Sequence, residues 1–448
     1  MIEARHEIRD PIHGLIRLTD QEISIINTPP FQRLRRIKQL ALANLVYPGA
    51  LHTRFEHSLG TLHIADRIMS TVAMKEQLYD NDIEIVRLAA LLHDIGHGPF
   101  SHVSEYLLDD YYQPPAGTPG TREKIHEKLT MDIISHESSI AEKLSDQQRE
   151  SVRQMIQGSN RRDMRRDIVS SDLDADKIDY LLRDAYYAGV KYGVIDSDKI
   201  IDSFRSFSSG SETFLSVDES GIFAVEQLIL AKHHMTQQVY SHRIRVITDY
   251  MIVRGLRLAI EDGLAEIKDL YFYDGSEDFC RNYIGYSDED IFDVVLKSEF
   301  ERPRRIFDSL RSRRLYKQIL GLRLTPTYVP DAIVRSRLVE LSQEEKKNLE
   351  CELSTRLGCE SWEVIVEVKN VKNPAYQAPG VLEPEAILIV DREGGRKSMK
   401  EYEELVSGEL PSFNTLHVIA PCQLASANRP ELAENIREAI FQYAGGSV

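Results

Sequence analysis

Apolar residues recur at three- and four-residue spacing through "IEIVRLAALLHDI" (83–95), "IDYLLRDAYYAG" (178–189) and "DYMIVRGLRLAI" (249–260). That period belongs to helices that bury one face. It runs from about residue 15 to about residue 270 and predicts a mostly helical body. The stretch "YYQPPAGTPGTRE" (111–123) interrupts it, and its Pro and Gly content predicts a loop. In "ETFLSVDESGIFAV" (212–225) two apolar runs flank Asp218–Gly221, which predicts a short β insertion with a turn at those residues. Beyond about residue 330 the pattern changes. "SWEVIVEVKN", "EAILIVD" and "NTLHVIA" predict strands, and "PELAENIREAIFQYA" predicts a closing helix. The pattern therefore gives a mainly α protein in three consecutive stretches. These are a helical body with a β insertion over 1–275, a helical connector with a basic run over 276–330, and a smaller α+β lobe over 331–448.

Charge narrows the partners. A net charge of -16 over 448 residues argues against nonspecific binding to a DNA duplex. The positive charge is nevertheless clustered, in "RLRRIK" (33–38), "RRDMRR" (161–166) and "RPRRIFDSLRSRRLYK" (302–317). An acidic chain with local basic patches suits small polyphosphates, although any one such run is as readily a solvated helix face. No apolar run approaches a membrane span, and "MIEARHEIRD" lacks the apolar region of a signal peptide. The four cysteines, Cys280, Cys351, Cys359 and Cys422, show no metal spacing. A soluble cytoplasmic protein without a disulfide framework is expected.

The chemistry concentrates in histidine. Ten of the 14 histidines precede residue 137, and three of them, with one aspartate, fall in "LLHDIGHGPFSH" (91–102). Imidazole and carboxylate make a mixed ligand set suited to Fe, Mn, Zn or Ni. Neighbouring helical residues diverge by about 100°, so His93 and Asp94 serve one metal only where the helix ends. Gly96, Gly98 and Pro99 supply that break, and further ligands must come from other helices. His102 and Glu105 stand three apart and share a helix face, and His126 is followed directly by Glu127. Tyr180 and Asp184 likewise stand at i and i+4.

At these residues the sequence resembles the HD superfamily of metal-dependent phosphohydrolases, and within it the deoxynucleoside triphosphate triphosphohydrolases. The ordered stretches are "RDPIHGLIRL", "TPPFQRLRRIKQL", "YPGALHTRFEHSLGT", "LLHDIGHGPFSH", "IHEKLT", "DADKIDYLLRDAYYAG", "VYSHR" and "RRLYK". The resemblance implies an HD-domain helical core with a smaller α+β C-terminal lobe. It implies His57, His93, Asp94 and Asp176 as ligands of a divalent metal (Fe, Mn, Zn, Ni or Mg), with Mg on the nucleotide. His102 becomes the general acid, with Glu105 beside it, and His126 with Glu127 a phosphate-contacting support. His97 is left between a supporting role and a place in the turn. Arg54, Lys177 and Lys232 are implied as phosphate contacts, with Lys232 standing where the family has arginine. Gln39, Tyr180 and Asp184 are implied to recognise the sugar, and Tyr240 to face the base.

The same resemblance implies a regulatory nucleotide between subunits of a homo-oligomer, a dimer or tetramer. Gln32, Arg35, Arg313 and Lys317 match its contacts. Asn27 stands where aspartate would read guanine, so no strict requirement for guanine is expected, and His6 stands where lysine would touch phosphate. The implied activity is hydrolysis of a dNTP substrate to deoxynucleoside and triphosphate. A phosphatase of nucleoside mono- or diphosphates and a nucleotide-binding regulatory protein are the alternatives.

Overall fold

The computed structural model describes residues 3–75, 80–112, 125–157, 162–210, 212–371, 387–390, 396–398, 413–421 and 429–445. Residues 113–123 of the predicted loop and Cys422 lie outside them. The protein is mainly α, as the apolar period predicts, and its described residues form two compact units that interleave along the chain. One comprises 1–240, 266–291 and 375–408, and the other 241–265, 292–374 and 409–448. The three consecutive stretches expected from texture thus describe the sequence, while in space the chain passes between the units more than once.

The first unit is built on long helices. The helix Asp80–Leu92 carries Ile85, Val86, Leu88, Ala89, Ala90, Leu91 and Leu92 at 3% exposure or less. A helix buried all round over residues 85–92 must be central there, and helices Arg54–Lys75 and Asp146–Gln157 pack against it. Its one cation, Arg87, is neutralised in place, Nε lying 2.7 Å from Glu22 and Nη1 2.7 Å from Asp66. The helix Ala175–Ala188 starts on Asp174, whose side chain accepts from the Lys177 amide, and stops on Gly189 in the left-handed region. It packs on Arg54–Lys75, and Gly60 makes the approach close. A Cβ there would stand 1.8 Å from an Asp179 oxygen.

Strands β1 (His6–Asp10) and β2 (Gly14–Leu18) form an N-terminal antiparallel hairpin. The β insertion exists but differs from the prediction. Strand β4 (Glu212–Asp218) pairs with β3 (Phe204–Ser209), which precedes it, rather than with residues 222–225. Asp218–Gly221 is no hairpin turn. Its Asp218 side chain accepts from the Ser220 amide and leads into the helix Ile222–Met235. The apolar residues 222, 225, 228 and 229 carry the helical period, which outweighs the short strand-like run.

In the second unit β5 (Lys317–Arg323), β6 (Ile365–Val371) and β9 (Phe413–Ala420) make a sheet in the order β5-β9-β6, antiparallel throughout. Helices Gln343–Leu357 and Arg429–Tyr443 cover it through a core that includes Leu349, Leu353, Val366, Val418 and Ile440. Short strands β7 (Leu388–Val390) and β8 (Arg396–Ser398) extend the sheet of the first unit in the order β3-β4-β7-β8. Among the described residues, no helix is long and apolar enough to cross a membrane.

Candidate metal and phosphate site

The helix Asp80–Leu92 ends one residue before His93, so His93 and Asp94 lie in the turn beyond it and escape the 100° divergence. Gly96 lets that turn lie on the helix Ile125–His136, where a Cβ would stand 2.3 Å from the His126 carbonyl oxygen. The Gly96 amide donates to Thr130 Oγ1 at 3.0 Å, and that hydroxyl donates to the His93 carbonyl at 3.1 Å. His57 arrives on the first turn of Arg54–Lys75 and Asp176 on the first turn of Ala175–Ala188.

These four side chains converge. His57 Nε2 lies 3.0 Å from Asp176 Oδ1 and 3.4 Å from Asp94 Oδ2. His93 Nε2 lies 3.3 Å from Asp94 Oδ1 and 3.9 Å from Asp176 Oδ1. The other ring nitrogens are spoken for: His57 Nδ1 faces Asp179 Oδ2 at 2.8 Å, and His93 Nδ1 faces the Ala90 carbonyl at 2.8 Å. A carbonyl or carboxylate can only accept, so in the neutral rings the proton sits on Nδ1 and the Nε2 lone pairs point into the cluster. Both Nε2 atoms are buried and make no aligned hydrogen bond. His57, His93 and Asp94, with the outer imidazole nitrogens anchored, fit a divalent metal, and Asp176 lies within reach of both imidazoles as a further donor. Burial opposes a charge on His57, yet Asp176, Asp179 and Asp94 push it up to about 10. The cluster therefore favours a cation at Nε2, where a metal displaces the proton. Asp94, although buried, is held well below the usual carboxylate range by Arg54, His93 and His97.

A second cluster adjoins it. The Nδ1 atoms of His102, His126 and His97 lie 2.7, 3.0 and 3.2 Å from one oxygen of Glu105. His97 is buried between the two clusters, its Nε2 3.2 Å from Asp94 Oδ1. Burial, then Arg54 and His126, lowers it to about 4. Burial works against the Glu105 charge, but His102 and His126 hold it well below its ordinary value. His102 is the exposed member, at 60%. The geometry differs from the sequence expectation at His126, whose ring meets Glu105. Glu127 is the next helical residue, about 100° around the axis. Phe100 (φ +63) and Ser101 (φ +54) precede His102 in the left-handed region, a strained approach for non-glycine residues.

Arg54 is buried, donates from Nη1 to Asp94 and from Nε to Ser101 Oγ at 3.0 Å, and keeps Nη2 without a partner. Lys177 Nζ donates to the Ser171 carbonyl at 2.6 Å and to Asp174 at 2.8 Å. Lys232 is lowered to about 8 by burial and then by Lys177 beside it. Tyr180 and Tyr240 meet edge to face at 6.3 Å, and the Tyr240 hydroxyl donates to Asp184 at 2.7 Å. The other Asp184 oxygen lies 2.7 Å from His52 Nε2, and Gln39 Oε1 is buried without a partner. Tyr240 closes a π-helical segment, Thr236–Tyr240, that the sequence did not announce. Asn27, Gln32 and Arg35 lie in the first unit and Arg313 and Lys317 in the second. Gln32 Nε2 donates to the Ile26 carbonyl at 2.7 Å, Arg35 Nε donates to Gln32 at 2.9 Å, and the Arg35 guanidinium caps the Phe55 ring. His6 faces Asp20 at 2.7 Å.

Sequence reasoning missed Asp179, Asp174, Ser101 and His52. Asp179 had a signal: it stands three residues after Asp176 and four before Arg183, a spacing that repeats one helix face. Asp174 and Ser101 are local too, Asp174 three residues before Lys177 as the helix cap and Ser101 directly before His102, whereas His52 is joined to Asp184 only by the fold.

The chain is similar to known HD-domain proteins. The HD domain family model matches residues 54–184, and the HD associated region matches 195–391. The chain is 33% identical over 407 residues to an uncharacterized protein of Methanocaldococcus jannaschii, covering 90% of this chain and 76% of that protein. It is 30% identical over 327 residues to a deoxynucleoside triphosphate triphosphohydrolase SAMHD1 homolog of Dictyostelium discoideum. That match covers 69% of this chain and spans 59% of the relative's length. A solved phosphohydrolase from Bacteroides thetaiotaomicron superposes with a TM-score of 0.71 at 25% identity, covering 93% of this chain and 99% of that one.

Proposed function

The chain belongs to the HD-domain phosphohydrolases, and from that premise we propose that it hydrolyses deoxynucleoside triphosphates to deoxynucleoside and triphosphate. The observation that carries the reading is one helix face. Asp176, Tyr180 and Asp184 follow one another at four-residue steps along Ala175–Ala188, about 12 Å from first to last. A metal ligand, an aromatic platform and a carboxylate that holds a tyrosine hydroxyl are thereby lined up, as a nucleotide's phosphate, sugar and base edge require. The relatives named as dNTP triphosphohydrolases favour the same substrate.

His57, His93, Asp94 and Asp176 would hold the divalent metal, which when bound lowers the pKa of water and polarises a phosphoryl oxygen. Arg54, with its partnerless Nη2, and Lys177 and Lys232 offset phosphate charge. Water attacks the α-phosphorus, the bond to the 5′ oxygen breaks, and His102 gives that oxygen its proton. Glu105 orients the ring. Tyr180 fills the space a 2′-hydroxyl would need, and Gln39 with Asp184 binds the 3′-hydroxyl. Asn27, Gln32, Arg35, Arg313 and Lys317 form the regulatory nucleotide contacts of a homo-oligomer. Chromatography of each dNTP and NTP incubated with the protein and Mn or Mg tests the reading. Triphosphate and deoxynucleoside are expected in equal amounts, faster from dNTPs. Inorganic phosphate as the product, or equal rates for ATP and dATP, would overturn it.

A further inference from the structure

The turn of the β1–β2 hairpin reaches the metal cluster from outside the segment 54–184 that supplies its ligands. Asp10 Oδ1 accepts from the amides of Ile12 and His13, both at 2.9 Å, which fixes the turn. His13 then points inward, 5% exposed, with Nε2 2.6 Å from Asp179 Oδ1. The second oxygen of Asp179 lies 2.8 Å from Nδ1 of His57. Arg183 grips the same carboxylate with two bonds of 2.9 Å, and its Nη1 donates to Asp10 Oδ2 at 2.8 Å. Asp10, His13, Asp179 and Arg183 thus close a buried ring whose only outlet among these bonds is His57.

We propose that His13 is a positioning residue for the metal site: by sharing Asp179 with His57 it sets the aim of the His57 Nε2 lone pair, so that the N-terminal hairpin controls metal affinity. The inference rests on His57 being a ligand. Arg183 holds both Asp179 oxygens, Nη2 on Oδ1 and Nε on Oδ2, and His13 is a second donor to Oδ1, which together present Oδ2 to His57 Nδ1. Without the His13 donor Oδ1 is held by Arg183 alone, the carboxylate can tilt on that two-bond grip, and the His57 ring follows it. Partners of this kind are generally worth about 10-fold or more in metal affinity.

Mn²⁺ affinity, measured by competition with a chromophoric chelator, tests the idea on the full chain. Wild-type protein that binds no Mn²⁺ would overturn the ligand assignment itself, before any variant is compared. His13→Leu and His13→Gln have similar bulk, but only glutamine can donate to Asp179. The leucine variant is expected to bind Mn²⁺ about 10-fold more weakly, and the glutamine variant to recover most of the loss. Activity of the leucine variant should return at saturating Mn²⁺ with an unchanged KM for nucleotide. Unchanged Mn²⁺ affinity in His13→Leu would overturn the proposal, and so would an equal loss in both variants, since that loss would then be one of packing. If His13→Leu does not fold, Asp10→Asn probes the ring from its other side by weakening the tie to Arg183. Weaker Mn²⁺ binding is again expected, and unchanged affinity overturns the proposal.

Discussion

Glu105 bears on three imidazoles through a single oxygen. Glu105→Gln keeps the shape and removes the charge. The His102 ring then loses the partner that orients it, while His57, His93, Asp94 and Asp176 stay untouched. The expected outcome is a fall in kcat on the order of 100-fold with unchanged metal content, read from steady-state rates beside elemental analysis. Glu127→Gln should leave kcat near wild type, because the carboxylate facing His126 is Glu105. Equal losses in the two variants would return Glu127 to the mechanism. His102, Glu105, His93 and Asp94 were legible in the sequence because each pair is local, within one turn of chain. His13 and Asp288 were not, since what joins them to the site is 166 and 188 residues away along the chain.

The segment from His93 to Ser101 is a loop whose shape is imposed from several sides. Asp288, buried, accepts from the Phe100 amide at 2.7 Å and from the Lys38 amide at 3.0 Å. The Ser101 hydroxyl donates to the Lys38 carbonyl at 2.8 Å. One carboxylate therefore fixes both the strained approach to His102 and the residue before Gln39. Burial raises its pKa to about 6, against those two bonds. A raised carboxyl contributes stability that is present below about pH 4 and lost as pH rises through about 6, so at pH 8 the charge costs about 3 kcal/mol. Asp288→Asn escapes that cost but turns a donor towards one of two buried amides, a loss of about 1–3 kcal/mol. The terms nearly cancel, so Tm should move little while kcat falls on the order of 10- to 100-fold as the loop shifts. Thermal melts and kcat at pH 8 decide it, and an unchanged kcat would show that the loop holds itself. Longer elements read well in advance because burial repeats their period many times, as in Asp80–Leu92 and Arg429–Tyr443. The pairing of β4 did not, since one short apolar run after it satisfied strand and helix patterns alike.

For the whole molecule, acid should act through histidines that the fold keeps neutral. His63, His97 and His417 are each lowered to about 4, in every case first by burial. His417 gives the cleanest test, because it belongs to the second unit while the proposed metal and substrate-phosphate residues belong to the first. It lies on β9, buried, with the positive charge of Lys369 adding to the effect. A depressed histidine takes its proton in the unfolded chain below about pH 6.5 but refuses it in the folded chain until about pH 4. Its contribution to stability is therefore intact above pH 6.5 and lost as pH falls through that window. The shift corresponds to about 3 kcal/mol by pH 4. His417→Gln cannot titrate. Denaturant unfolding with chelator present, at pH 7.5 and 5.0, should find the variant no more stable than wild type at the higher pH and less sensitive to the drop. Because the second unit need not unfold together with the first, the comparison should follow the unit that carries His417, by the fluorescence of Trp362, the only tryptophan, which lies in it. Parallel losses in the two proteins would mean that His417 accepts its proton in the folded state, and the acid sensitivity of the second unit would then rest on other groups.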